Sequence, residues 1–576
     1  MNYNYKKNTK KLILTASIGQ CVHIAGSYNF MEIAQQVGFL TEFVGPAISI
    51  DDLIKKIKQA RPQIVGLSYR LTAQTIIPLL ERFFSNYEHL EEKPDKLLFA
   101  GTPEVVEEAK RFESFDEFFV GGETRNRIIR ILREENEQDF KSSKHPNDLI
   151  SRIKWKKPFP VIRTHFGQPQ LDETIKGIKK IAQSEILDII SIAPDQNTQS
   201  NYYHPEEQDE RLTGAGGVPL KCEQDFSKLH YARLSGNYPL LRIYAGTRDF
   251  IRLAKLYQKT IKNAWAAIPI FWFNQMDGRG PLSLKEGIRQ HIDAIKWHAQ
   301  RKIPVEINDP HHWSLRNAPD AITVADMLLC GIIAKELGVS HFIAQYMFNT
   351  PSGSSFEMDL AKMLAKNELL FSLKDESFKI IKQVRSGLAS FPLNLNRAKG
   401  HLASATLVQL ALKPDILHVV THTESDHAAK PDEIIESCEI IDQVISNAYS
   451  SELNFVSKKV TERKQELIAQ AKWIVNLVPR FIRKEPKGGN PWLDEEILHK
   501  LVQLGIFDAP HLKNNKFACG KIETKMKDGA CYSWDPVTSQ TLNEIKRIKL
   551  IVEKYPQHFQ NENEFESNYN FKEMIA

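Results

Sequence analysis

Cysteine is scarce and scattered. The six cysteines (Cys21, Cys222, Cys330, Cys438, Cys519, Cys531) lie far apart, with no C-x-x-C. That spacing argues against a zinc ribbon or a cysteine-ligated iron–sulfur cluster and suits a reducing cytoplasm. Long apolar runs are missing too, and none approaches the ~20 residues of a membrane span. Lys6, Lys7, Lys10 and Lys11 precede an apolar stretch, but it is short and is interrupted by Thr15 and Ser17. It reads as a first strand and not as a signal segment. Charge of one sign is also lacking: 76 basic and 71 acidic residues are intermixed, for a formal +5. Nucleic acid is therefore not an expected partner. There is no G-x-S-x-G and no P-loop. Gly214-Ala215-Gly216-Gly217 follows charged loop sequence and precedes Val218-Pro219, so it is no dinucleotide fingerprint. A cytoplasmic protein acting on a small molecule is the expectation, with monomer and homodimer both open.

What is present is alternation. Apolar, β-rich runs at 12–17, 41–44, 64–68, 96–100 and 117–120 are separated by helical patterns at 29–37, 50–59, 73–84, 103–111 and 124–134. Strand–helix alternation of this kind makes βαβ units and a parallel sheet. Its size predicts a flavodoxin-like doubly wound domain over 1–137, with its ligand at the carboxyl ends of the strands. The loop at His23, Ser68, Gly101 and Gly121-Gly122 fall at such ends. A charged stretch predicts a linker over 138–154. Eight further apolar runs follow (161–164, 186–193, 240–245, 268–273, 303–307, 341–347, 384–391, 416–420), each leading into a helical pattern. They predict a (β/α)8 TIM barrel over 155–452, with an open α/β sheet as the alternative. Residues 453–576 read as a helical and mixed extension, with helices near 462–477 and 493–504 and a frayed end from 561.

The segments after the barrel strands are polar. They hold Asp195, Gln196 and Asn197; Arg248 and Asp249; Asn274, Asp277 and Arg279; Glu306 and Asn308 to His312; Gln345 and Asn349; and His418 to His427. Polar groups at one rim make a small-molecule site. Asp249 and Ser283 also suit plain helix caps. His418, His422 and His427, with Glu424 and Asp426, could supply metal ligands, although hydrogen-bonding histidines are the commoner reading. Arg163 and Arg242 lie within strands, and a guanidinium there suits a carboxylate.

Cys21-Val22-His23-Ile24-Ala25-Gly26 resembles the Asp-x-His-x-x-Gly loop of the cobalamin-binding fold, with Cys21 in the Asp position. The first domain looks like the small component of glutamate mutase. The stretch from Gln63 to Ser68, the pair Ala100-Gly101 and Gly121-Gly122-Glu123-Thr124 fit its later loops. The barrel resembles the large component, through Tyr238-Pro239-Leu240-Leu241-Arg242 and Gly246-Thr247-Arg248-Asp249, Asp309-Pro310-His311-His312, and Gly505-Ile506-Phe507-Asp508-Ala509-Pro510. The resemblance implies two mutase components fused in one chain, with cobalamin bound by His23, Gly26, Ser68, Gly101, Gly121 and Gly122, and His23 on cobalt. Adenosylcobalamin is the expected form and methylcobalamin the alternative. It further implies a carbon-skeleton isomerase (mutase) whose small carboxylate or amino-acid-like substrate meets Arg242, Asn274, Asp277, Glu306, His311 and His422. The family's substrate arginine falls at Tyr244, two of its tyrosines at Phe273 and Asp277, and a lysine near Thr421 or His422, so glutamate itself is not the expected substrate. A corrinoid methyltransferase and a non-catalytic cobalamin-binding protein are the alternatives.

Overall fold

The computed structural model describes residues 11–133, 146–449, 453–482 and 489–560. The chain divides into two compact units, one running to residue 145 with 449–451, the other made of 146–448 and 452–576.

The first unit carries five parallel strands: β1 (Leu12–Ser17), β2 (Leu40–Phe43), β3 (Ile64–Tyr69), β4 (Lys96–Gly101) and β5 (Glu117–Phe119). Their order, β2-β1-β3-β4-β5, is that of the flavodoxin-like doubly wound sheet. Consecutive residues such as Ile13 and Leu14, or Ile64 and Val65, are all buried, because helices cover both faces of a parallel sheet. The order reverses between β1 and β3, which places a crevice at the carboxyl ends of those strands.

Gly101 ends β4 in a tight place. A Cβ there would lie 2.8 Å from the Tyr69 carbonyl oxygen and 2.9 Å from Val105 Cγ1. Gly101→Ala is therefore expected to destabilise this unit by about 1–3 kcal/mol. Thermal unfolding measures it, and an unchanged midpoint would show that the backbone yields freely.

The second unit is a barrel of eight parallel strands: β6 (Val161–Phe166), β7 (Ile189–Ile192), β8 (Leu240–Ile243), β9 (Ala266–Ala267), β10 (Val305–Glu306), β11 (His341–Phe348), β12 (Lys379–Ser386) and β13 (Ile416–His418). Seven neighbouring pairs form regular ladders. The eighth seam, β8 to β9, closes through the Ala264 N–H to Leu241 O at 2.9 Å and through the Asn263 Oδ1, which accepts the Ile243 N–H at 2.9 Å.

Three sequence expectations change here. The fourth strand is not 268–273, because the Ile270 and Phe271 N–H groups donate to the Asp309 carboxylate, at 2.5 and 2.7 Å, and not to a neighbouring strand. The seventh strand begins earlier, at Lys379, where Lys379 and Lys382 break the apolar run. The expected linker over 138–154 lies partly outside the described residues, and its end is the helix Leu149–Lys156. Leu149 and Ile153 of that helix pack under the barrel beside Val161, Ile189, Leu240, Trp265, Ile343, Ile381 and Ile416. Lys156 pairs with buried Asp188 at 2.5 Å and locks the plug.

The extension forms the helices Lys458–Val475, Glu495–Gln503 and Glu544–Lys554 and a three-stranded antiparallel sheet, β14 (Glu523–Lys527), β15 (Ala530–Asp535) and β16 (Gln540–Leu542). The end expected to fray, 561–576, lies outside the described residues. Among the described residues no helix is long and apolar enough to cross a membrane.

Candidate functional site

In the first unit, the loop after β1 is fixed from below. Ile18 N–H donates to Ser68 O at 3.1 Å, the Ser17 hydroxyl to His23 O at 2.8 Å, and Ala47 N–H to Cys21 O at 2.9 Å. Ser68, buried at the end of β3, thus acts through its carbonyl. The Cys21 thiol is buried, accepts the Arg70 N–H at 3.3 Å and lies 3.6 Å from His23 Nδ1. His23 is exposed, with Val22 (63% exposed), Ile24, Leu71 and Val120 around the same strand ends. Glu123 holds the last loop by accepting the N–H groups of Val120 and Gly121 at 2.6 and 3.0 Å. An added Cβ at Gly26, Gly121 or Gly122 would meet nothing within 4 Å, and Gly121 has φ +95°. These glycines leave open space, whereas Gly101 is packed by its own fold.

In the barrel, side chains two residues apart along a strand share a face. The lowest inward layer is apolar: Val161, Ile189, Leu240, Ile343, Ile381 and Ile416. Two residues on, the interior turns polar, with Arg163, Ser191, Arg242, Gln345, Gln383 and His418 joined by Glu306, all buried. One layer higher stand His165, Tyr244 and Arg385. Glu306 Oε2 is the hub. It accepts Trp265 Nε1–H at 2.8 Å and lies 3.5 Å from Arg242 and 3.8 Å from Arg163. Arg242 also stacks over Tyr244, 4.4 Å from its ring centre, and its Nε and Nη1 have no hydrogen-bond partner among the described residues. Two guanidiniums, Arg163 and Arg242, thus share one fixed carboxylate at this depth, with Arg385 one layer above them. Burial and the adjacent Arg242 push Arg163 down to about 9, and burial lowers Arg385.

The histidines in this interior are neutral. Burial, reinforced by the surrounding arginines, drives His165, His311 and His418 well below the usual imidazole range. Burial and adjacent His311 do the same to His312. Glu424 accepts the N–H and hydroxyl of Thr421 at 2.9 and 3.1 Å, and burial raises its carboxyl above the usual range. Phe273, in the left-handed region at φ +63°, packs 6.1 Å from Tyr244 and 5.3 Å from His312. A bulky residue in that conformation marks a constrained wall.

The structure gathers Arg242, Glu306 and His311 of the sequence-derived set, and separates the rest. Asn274 is spent on its own loop, donating to Phe271 O at 2.9 Å and accepting Met276 N–H at 2.8 Å. Asp277 accepts the Asn274 N–H at 3.0 Å and pairs with Arg279 at 2.9 Å and Arg316 at 3.5 Å. His422 Nδ1 bonds Ser437 at 2.8 Å, and its Nε2 lies 3.6 Å from Glu436, both on the helix Pro431–Tyr449. The cluster His418, His422 and His427 does not form: His418 joins His165, and His427 sits with Asp426 and Glu433. Among the described residues, the set with metal-ligand spacing is His204, Glu206 and Glu207, in an outer loop where Arg248 already pairs with Glu207. Ser283 caps its helix, but Asp249 is left-handed and bonds His204 at 2.9 Å. Arg385, Gln383 and His165 belong to the interior and were not among the expected site residues.

No family model matches this chain, and no curated protein matches it. Solved structures similar to it include a novel cobalamin-binding protein from Desulfitobacterium hafniense DCB-2, 22% identical over 19% of this chain and 53% of that one, with a TM-score of 0.17. The cobalamin-dependent S-adenosylmethionine radical enzyme OxsB, with aqua-cobalamin and S-adenosylmethionine bound, is 10% identical over 82% and 62%, with a TM-score of 0.18. A GH138 enzyme targeting pectin rhamnogalacturonan II is 10% identical over 81% and 56%, with a TM-score of 0.32. The chain thus spans less than two thirds of each of these neighbours, and at these identities and scores none of them assigns it to a family.

Proposed function

We propose that the chain is a cobalamin-dependent enzyme whose substrate is a small carboxylate taken into the barrel, and that its reaction is a carbon-skeleton isomerisation. The observation that carries this reading is a pairing within one chain. An exposed histidine stands on the switch-point loop of a flavodoxin-like sheet, and a barrel interior carries more guanidinium than carboxylate.

The first unit fits the cofactor. His23 presents its ring on a loop tied down by Ser17, Ser68 and Ala47. The open space beside Gly26, Gly121 and Gly122 is room that side chains would fill. The exposed Val22, Ile24, Leu71 and Val120 suit a large, partly apolar ligand. When bound, cobalamin supplies a weak cobalt–carbon bond and hence radical chemistry. The chain's own residues bind and orient. Arg242, with two unpartnered nitrogens, holds a carboxylate, and Glu306 keeps that guanidinium in place. The apolar layer beneath excludes water. Cys21 is a weaker partner for His23 Nδ1 than a carboxylate, so the histidine is a weakly activated ligand.

The full chain, reconstituted with adenosylcobalamin or methylcobalamin and reduced to the cob(II)alamin form, is expected to show nitrogen superhyperfine splitting in its EPR spectrum. His23→Ala is expected to abolish the splitting. Failure of both cofactors to bind would remove the basis of the reading. A substrate-dependent radical with adenosylcobalamin alone would favour the isomerase over methyl transfer.

A further inference from the structure

Six buried or half-buried side chains cross the barrel interior in one hydrogen-bonded line: His418, His165, Arg163, Gln383, Gln345 and His311. Arginine has donors and no acceptor, so the line has a direction. On one side, Arg163 Nη2 donates to His165 Nε2 at 3.2 Å. A neutral His165 then carries its proton on Nδ1 and donates it to His418 Nε2, 3.2 Å away. His418 in turn must hold its own proton on Nδ1. That atom is buried and has no hydrogen-bond partner among the described residues. On the other side, Arg163 Nη1 donates to Gln383 Oε1 at 2.7 Å. Gln383 Nε2 therefore points to Gln345 Oε1 at 2.8 Å, and Gln345 Nε2 to His311 Nδ1 at 2.7 Å. His311 is left with its proton on Nε2. The same logic fixes His312, whose Nδ1 lies 3.3 Å from Arg279 Nη2 and whose buried Nε2 is unpartnered.

We infer that the barrel interior is a donor-rich receiver for an acceptor-rich anion, with carboxylate or phosphate oxygens, in which His418 Nδ1–H, His311 Nε2–H, His312 Nε2–H and the free N–H groups of Arg242 are the ligand donors and Arg163 is a positioning residue that sets the histidine tautomers. The inference rests on the reading of the barrel interior as the substrate site, and it is independent of cobalamin. It also explains why the histidines do not act as a metal set: each ring's lone pair already accepts a hydrogen bond within the protein, at His165 Nε2, His418 Nε2, His311 Nδ1 and His312 Nδ1. For the same reason none is free to act as a base. The low basicity of these rings agrees with that assignment. The groups that face His165 and His418 are Arg163, Arg242 and Arg385, with Tyr244 stacked on His165, and the three guanidinium charges disfavour an imidazolium there.

The test uses the full chain without cofactor. Isothermal titration calorimetry is run with succinate, with inorganic phosphate and with ethylenediamine as a cationic control. Binding of at least one anion and not of the diamine is expected, and which anion binds separates a carboxylate from a phosphate ligand. His418→Asn keeps an N–H near the Nδ1 position and is expected to stay within about threefold of the parent affinity. His418→Leu is expected to lose about tenfold or more, the size of one hydrogen bond to a charged group. Two-bond nitrogen–proton correlation spectra of histidine-labelled protein, with the His418 signals assigned by these variants, are expected to show the neutral Nδ1–H form unchanged from pH 6 to 8. In Arg163→Met that signature should give way to mixed tautomers, which a purely structural role would not produce. An Nε2–H form of His418, its protonation in that range, equal loss in His418→Asn and His418→Leu, or binding of the diamine alone would overturn the inference. So would the absence of anion binding at millimolar concentration. Because no cobalamin is present, failure of the cofactor reading would leave these results untouched, and failure here would leave the EPR result untouched.

Discussion

Glu306→Ala is expected to lower the stability of the barrel unit by about 3–5 kcal/mol, the usual cost of removing one partner from a buried ion pair. The reason lies in the company Glu306 keeps. Its Oε2 is the shared acceptor for Trp265 Nε1–H, Arg242 and, at slightly longer range, Arg163. Without it, two buried guanidiniums face each other with no counter-charge, and Trp265 loses its acceptor. An apolar layer lies below them, and Glu306 itself is only 1% exposed. Glu306→Gln keeps an acceptor for Trp265 but not the charge, so its cost should fall between the parent and the alanine variant. Urea unfolding followed by circular dichroism measures both. A loss under about 1 kcal/mol for Glu306→Ala would mean that the arginines find other partners, and the cationic character assigned to the interior would have to be withdrawn. Succinate or phosphate should raise the stability of the alanine variant wherever the anion binds the folded form alone.

The broad architecture was legible because both sheets are parallel and buried on both faces, so their strands stand out as short apolar runs between helices. The strand ends were legible for the same reason: polar residues follow each run. What escaped were features in which one residue overrides its neighbours. The run 268–273 is apolar enough for a strand, yet Asp309, distant in sequence, takes the N–H groups of Ile270 and Phe271, and the backbone leaves the barrel wall. Gln383 and Arg385 escaped because β12 starts at Lys379 and its inward face carries Ile381, Gln383 and Arg385, a pattern broken by Lys379 at the strand's start and Lys382 on the other face. Spacing along the chain suggested a shared ligand for His418, His422 and His427. Each instead finds a different partner, and His418 meets His165, from a strand adjacent in space and far away in sequence. Asp249 looked like a helix cap until its left-handed backbone turned the side chain towards His204.

Asp320→Ala should be as costly as Glu306→Ala, about 3–5 kcal/mol at pH 7, and should act on the interior from outside it. Asp320 begins the helix Asp320–Glu336 and is buried. It pairs with Lys362 at 3.2 Å and Arg463 at 3.2 Å and accepts the Cys531 N–H at 3.1 Å. One carboxylate thus joins a barrel helix to two parts of the extension, the helix Lys458–Val475 and β15. The extension in turn braces the site loops. Asn515 donates to Met276 O at 2.6 Å, beside Asp277, and Phe507 packs against Phe271 and Trp313, next to His312. Loss of Asp320 is therefore expected to expose the extension to limited proteolysis before the barrel strands unfold. The pH dependence follows from the same contacts. Burial pushes the Asp320 carboxyl up, but Lys362 and then Arg463 pull it down further, and the net effect is below the usual range. A carboxyl depressed in the folded state adds stability above its unfolded value of about 3.9, and that contribution fades as the pH falls through the folded one. The gap between parent and Asp320→Ala should accordingly be full at pH 7 and narrow below about pH 4, as the parent loses what the variant never had. Urea unfolding of both proteins at pH 7 and at pH 3 tests this. A gap that stays constant across that range would assign the cost to lost packing and not to the charge at the junction.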